Sequence, residues 1–139
     1  MPPSSSVRTF IVEDSPIILD SLVGLLEEMA PVQVVGTAVD EDSAGLRMEG
    51  LADSLDLVIV DIFLKSGSGL GVLRRARRAG LRACLVVLTN YASPDLRQRC
   101  AVLGAHRVFD KSNDIDALVD YCTGLARRSG GAAAAAPVA

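Results

Sequence analysis

Five short runs of β-branched and aliphatic residues, separated by stretches of helical periodicity, constrain this chain more than any other feature. They cover residues 9–12, 32–35, 57–60, 85–88 and 107–109. Their centres recur about every 25 residues, the length of one strand with its helix and turns. The runs at 57–60 and 85–88 are apolar without alternation, as parallel strands are when helices cover both faces. The pattern implies an α/β fold: a doubly wound five-stranded parallel sheet with helices on both faces.

The intervening segments carry their own punctuation. Ser15 is placed to cap a first helix and Pro16 suits its first position. Ile18, Leu22, Leu25 and Met29 fall on one face before Pro31 stops the helix. A second, over about residues 40–52, has only a thin apolar stripe at Leu46, with Gly45 and Gly50 softening it. The third begins near Gly69 with Leu70, Leu73 and Ala76 inward. The fourth opens at Ser93-Pro94 with Leu96, Cys100 and Leu103 inward, and Gly80 and Gly104 end the two. The last has the clearest stripe, through Ile115, Leu118, Val119, Cys122, Leu125 and Ala126, behind a cap at Ser112 or Asn113. This predicts one domain over residues 7–127, an N-terminal tail over 1–6, and an alanine-rich, disordered tail over 128–139 without an output domain.

Composition excludes several classes. No apolar run reaches membrane-spanning length. Met1-Pro2-Pro3-Ser4-Ser5-Ser6 has neither the basic start nor the apolar stretch of a secretory signal, so a cytoplasmic protein is expected. Cys84, Cys100 and Cys122 are an odd number without metal-ligand spacing and read as reduced packing residues. A net charge of −3 gives no global attraction to nucleic acid. The cluster Arg74, Arg75, Arg77, Arg78 and Arg82 reads as a solvated helix face, and the single His106 as an exposed loop residue.

In such a sheet ligands bind outside the carboxyl ends of the strands, and those ends are polar here. The first strand leads into Glu13-Asp14, the third into Asp61, the fourth ends at Thr89, and the fifth passes through Phe109-Asp110 to Lys111. If the first and third strands are neighbours, three carboxylates crowd together and need a cation. Oxygen ligands of this kind suit Mg²⁺, with Mn²⁺ able to substitute. A nucleophilic Asp61 flanked by an ammonium and a hydroxyl would serve phosphoryl transfer. Each residue alone is commonplace; their joint placement along one edge is the informative feature.

These motifs, Glu13-Asp14, Asp61, Gly69-Leu70, Thr89 and Lys111, make residues 7–127 resemble the receiver domain of bacterial response regulators in two-component signalling. The resemblance implies a flavodoxin-like sheet of strand order 2-1-3-4-5. It also implies that Asp61 accepts a phosphoryl group from a sensor histidine kinase or a histidine phosphotransfer protein. Asp14 and Asp61 would bind Mg²⁺ directly, Glu13 partly through water, and the Phe63 backbone carbonyl would complete the ligands. Lys111 would pair with the aspartyl phosphate, and the Thr89 hydroxyl would move onto it. That movement would bias the face made by the fourth helix, fifth strand and fifth helix toward a separate downstream protein, a second copy of the chain, or onward phosphorelay. The domain would not be an enzyme in the ordinary sense, catalysing only transfer to its own Asp61 and slow loss of the phosphate.

Several positions depart from the pattern. Val108 stands where many receivers carry an aromatic switch residue, and Phe109 beside it should face the opposite way and pack in the core. Ser112 replaces a common proline after Lys111. Lys65 replaces another, leaving Lys65-Ser66-Gly67-Ser68-Gly69 as a flexible loop. Phe63 and Tyr91 are bulky where the hydrolytic water would pass, which predicts slow dephosphorylation. The alternatives are an aspartyl-phosphate phosphatase, a degenerate receiver acting as a phosphorylation-independent binding module, and a DNA-binding regulator using the arginine cluster. The first wants a second Asp at position 63 and finds Phe63. The intact acidic, Thr89 and Lys111 set argues against degeneracy, and no recognition-helix unit follows to support DNA binding.

Overall fold

The computed structural model describes residues 6–132. Strands β1 (Val7–Val12), β2 (Val32–Ala38), β3 (Leu57–Val60), β4 (Cys84–Thr89) and β5 (Arg107–Asp110) alternate with helices α1 (Pro16–Met29), α2 (Glu41–Leu51), α3 (Gly69–Arg78), α4 (Pro94–Val102) and α5 (Ile115–Ala132). A short 3₁₀ turn, Ala52–Ser54, follows α2. The strands form one parallel sheet in the order β2-β1-β3-β4-β5, as expected. No described helix is long and apolar enough to cross a membrane.

The uninterrupted apolar strands serve two cores at once, because successive side chains leave opposite faces of the sheet. Ile11, Ile59, Val86, Leu88 and Phe109 point toward α1 and α5, where they meet Leu26, Leu118 and Cys122. Phe10, Val12, Val58, Val60 and Val87 point the other way, toward Met48 of α2, Leu73 of α3 and Cys100 of α4. Phe109 is buried on the first side and Val108 packs on the second. The opposed orientation expected of this pair holds.

Ser15 and Ser93 cap their helices as the sequence indicates, and the structure adds Asp40 and Ser68 as caps. The hydroxyls of Ser15, Ser68 and Ser93 and the carboxylate of Asp40 accept first-turn N–H groups of α1, α3, α4 and α2. The fifth differs. Asp114, neither Ser112 nor Asn113, precedes α5, its carbonyl accepting from Leu118 N–H. Ser112 and Asn113 instead donate their N–H groups to the Asp110 carboxylate, closing a tight turn around Lys111.

Two helix faces also differ from expectation. The inward stripe of α1 is Leu19, Leu22 and Leu26, while Ile18 and Met29 are exposed. In α2 the buried residues are Ala44, Gly45 and Met48, and Leu46 points to solvent. The backbone of α5 continues through residues 128–132, which the sequence assigned to a disordered tail, because each added residue extends an existing helix by one bond without a new nucleus. The rest of that tail, 133–139, and residues 1–5 of the N-terminal one lie outside the described residues.

Candidate functional site

The sheet positions the site through its own hydrogen bonds, continued just past the strand ends. Glu13 N–H donates to the Ala38 carbonyl at 3.0 Å, Asp61 N–H to that of Val12 at 3.0 Å, and Lys111 N–H to that of Thr89 at 2.9 Å. Glu13, Asp61 and Thr89 are thereby buried although polar. Gly69 lets the chain fold back over Asp61, since a Cβ there would overlap the Asp61 carbonyl.

Glu13, Asp14 and Asp61 each bring a carboxylate oxygen within 4.8 Å of the others. Lys111 reaches across, its Nζ donating to Glu13 Oε1 at 2.6 Å and to Asp61 Oδ2 at 3.1 Å. The other Glu13 oxygen accepts from Ser15 N–H at 3.1 Å, and Asp14 Oδ2 from Lys65 N–H at 2.9 Å. Burial pushes the Glu13 carboxyl above its ordinary value, against the bond from Lys111. Burial alone would lower Lys111, but its bond to Glu13 and the charge of Asp61 raise it, so the ammonium is kept. Three carboxylates thus lie together with Lys111 paired to two of them, Glu13 and Asp61. An oxygen-only donor set with excess negative charge fits a hard divalent cation, Mg²⁺ or Mn²⁺, held by Glu13, Asp14 and Asp61.

Thr89 Oγ1 is fully buried and has no hydrogen-bond partner among the described residues. An unpaired buried hydroxyl costs about 1–3 kcal/mol, which sets Thr89 apart as an open hydrogen-bonding group at this edge.

The structure brings Phe63 and Tyr91 together, ring centroids 5.8 Å apart in an edge-to-face pair. The pair stands at the surface, 56% and 70% exposed, so neither ring is core packing. The 65–69 loop, expected to be loose, is tied: Lys65 N–H to Asp14, and Ser68 N–H to Glu41 Oε1 at 3.0 Å. Val108 is half-buried against the α4 side, and its carbonyl accepts from Arg97 Nη1 at 2.9 Å. His106 is exposed, with Nδ1 accepting from Leu85 N–H at 3.0 Å, a strand-edge role. Of the arginine cluster, Arg75 pairs with Glu41 and Asp42 and Arg77 donates to the Val102 carbonyl; the others are exposed on α3 and the loop after it. Glu41 and Arg97 are the residues sequence reasoning missed. Both act across elements distant in the chain, and no local motif marks them.

Comparison with known proteins agrees with this geometry. The sequence pattern of the response regulator receiver domain family matches residues 9–123. The chain is 32% identical over 114 residues to the uncharacterized transcriptional regulatory protein YvfU of Bacillus subtilis, covering 82% of this chain and 56% of that one. It is 30% identical over 120 residues to the nitrate/nitrite response regulator protein NarP of Escherichia coli, covering 86% and 46%. The chain therefore spans about half the length of these relatives. Among solved structures, the fold matches a LuxR-family DNA-binding response regulator from Staphylococcus aureus with a TM-score of 0.76 at 20% identity, covering 86% of this chain and 99% of that one. It also matches the response regulator domain of Thermotoga maritima CheB with a TM-score of 0.75 at 15% identity, covering 93% and 99%. With five parallel strands in the order 2-1-3-4-5 and an acidic edge answered by one lysine, the chain belongs to the response regulator receiver domain family.

Proposed function

We propose that this receiver takes a phosphoryl group onto Asp61 from a phosphohistidine of a sensor kinase or a phosphotransfer protein. The observation that carries the reading is the Lys111 ammonium bridging Glu13 and Asp61 inside the carboxylate cluster. An Asp61 carboxylate oxygen forms the new bond to phosphorus while the P–N bond breaks; the departing ring nitrogen takes the electron pair and, the other ring nitrogen already carrying a proton, leaves as neutral imidazole. Glu13, Asp14 and Asp61, with the Phe63 carbonyl, would hold Mg²⁺. When bound, the cation would supply positive charge against the negative charge spread over the transferring phosphoryl oxygens. Lys111 holds its ammonium beside Asp61 Oδ2, and Thr89 offers its unpaired hydroxyl to a phosphoryl oxygen. The change at Thr89 would then be passed to the α4–β5–α5 face, where a downstream protein or a second copy would bind. A cytoplasmic location goes with a kinase donor of this kind.

The test is Mg²⁺-dependent labelling with acetyl phosphate, read by intact mass. One phosphate adduct in the wild type and none in Asp61→Asn is expected; an adduct that survives the substitution sinks the assignment. The same adduct followed in time tests Phe63 and Tyr91. Their exposed pair should shield the acyl phosphate, so Phe63→Asn with Tyr91→Ala should shorten its lifetime, and an unchanged lifetime removes shielding as their role.

A further inference from the structure

The seam between α2 and α3 is built from two reciprocal insertions. The Arg75 side chain of α3 lies over Gly45 of α2, where a Cβ would come 2.5 Å from its Nη1. The Glu41 carboxylate of α2 lies over Gly71 of α3, where a Cβ would overlap it. Glu41 is also the point at which the β3–α3 loop is fastened. It accepts from Ser68 N–H at 3.0 Å, its own N–H donates to the Ser66 carbonyl at 3.3 Å, and its Oε2 lies 3.5 Å from Arg75 Nε. Gly67, with φ of +78°, turns the loop against the Glu41 Cβ. A carboxylate held at the first turn of α3 is further favoured by that helix's dipole.

The fastened segment is the one that leaves Asp61. It runs from Asp61 through Phe63 and Lys65, whose N–H is bonded to Asp14, to Gly69, which touches the Asp61 carbonyl. From these contacts we infer that Glu41 is a positioning residue for the phosphoacceptor site, acting from a neighbouring helix through the 66–71 segment, with Gly71 as the cavity that lets it act. The inference rests on the phosphoacceptor reading for what the loop serves; the clamp itself does not. Glu41 touches neither the carboxylate cluster nor Lys111 in any hydrogen bond or ion pair among the described residues.

The experiment is a double-mutant cycle on Glu41→Ala and Gly71→Ala, read by amide hydrogen exchange and by Mn²⁺ affinity from the paramagnetic resonance of free ion. Glu41→Ala removes a charged acceptor, so exchange at Ser68 and Lys65 should rise roughly tenfold while α1 and α5 stay unchanged. Mn²⁺ should bind several-fold more weakly. Gly71→Ala should do the same, although alanine is the better helix former, because its Cβ displaces the carboxylate. On top of Glu41→Ala it should add nothing. Should Glu41→Ala prove unstable, Glu41→Gln, which keeps the shape and one accepting oxygen, gives the same readings at smaller amplitude.

Glu41 is reduced to an ordinary helix cap if exchange at Lys65 and Mn²⁺ affinity keep wild-type values while only Ser68 and α3 respond. Full additivity of Gly71→Ala on Glu41→Ala overturns the insertion as well. A wild type that binds no Mn²⁺ counts against the phosphoacceptor reading instead, and the exchange arm then decides on the clamp alone.

Discussion

The two helices that flank β5 are held by different physics. On one side α5 lays Leu118, Cys122, Leu125 and Ala126 into the core beneath Phe109, each buried. On the other, α4 buries only Cys100, exposes Val102 to 68%, and leaves Leu96 and Leu103 half-covered. Its attachment is instead polar. Arg97 Nε donates to the Ala92 carbonyl at 3.1 Å, Nη1 donates to the Val108 carbonyl at 2.9 Å, and Nη2 lies 3.9 Å from the Asp114 carboxylate. Apolar burial is worth about 25 cal/mol per Å² and has no direction. Exposed polar bonds are directional, are individually weak, and can be exchanged for water. Within one face, then, α5 is the firmly packed wall and α4 the more loosely held element.

The largest test of this contrast uses two adjacent residues of β5 that face the two flanks. Phe109→Ala empties a fully packed site and should cost about 3–5 kcal/mol in urea unfolding. Val108→Ala, on the half-buried α4 side, should cost roughly 1 kcal/mol. If the two losses are similar once scaled by the volume removed, the flanks are equally packed and the comparison fails.

The same contrast shows what was legible in the sequence. The strands, their two-sided burial and the polar residues at their carboxyl ends could be read because each is a local signal. Asp61 follows an apolar run, and Lys111 follows β5 by one residue. Helix faces were harder. In α1, Ile17, Ile18, Leu19, Leu22, Leu25, Leu26 and Met29 are apolar on more than one face, so periodicity alone chose Ile18 and Met29 where the sheet buries Leu19 and Leu26. The cap of α5 was misplaced because the Asp110 carboxylate takes the N–H groups of Ser112 and Asn113 before the helix starts. Glu41 and Arg97 were invisible for a different reason. A charged residue on an exposed helix normally meets solvent, and only the fold places Ser68 beside one and the Val108 carbonyl beside the other.

A smaller effect should appear in thiol reactivity, since α4 and α5 each carry one fully buried cysteine. Burial pushes the Cys100 thiol up, and that of Cys122 up to about 11. In the closed protein neither offers a thiolate near neutral pH. Labelling must wait for opening, when both return to the ordinary range near 8.5. In a Cys84→Ala background, Cys100 should react roughly tenfold faster than Cys122, both rates rising with pH up to that range. Equal rates would mean that the two helices open only together, by global unfolding, and that α4 has no independent freedom.

The smallest effect is also the most specific to this chain. Arg97→Ala removes three exposed polar contacts from α4, worth together about 1 kcal/mol after solvent screening. Labelling of Cys100 should therefore accelerate roughly fivefold and the urea stability should fall by the same ~1 kcal/mol, while Cys122, exposed by opening of α5 with α4 still docked, keeps its rate. The bond from Arg97 goes to the backbone carbonyl of residue 108, so it does not depend on the side chain there. Val108→Ala should consequently leave the Cys100 rate less affected than Arg97→Ala does, even though the half-buried Val108 side chain packs on the α4 side. The opposite ranking would place the hold on α4 in apolar packing after all and make its two sides alike.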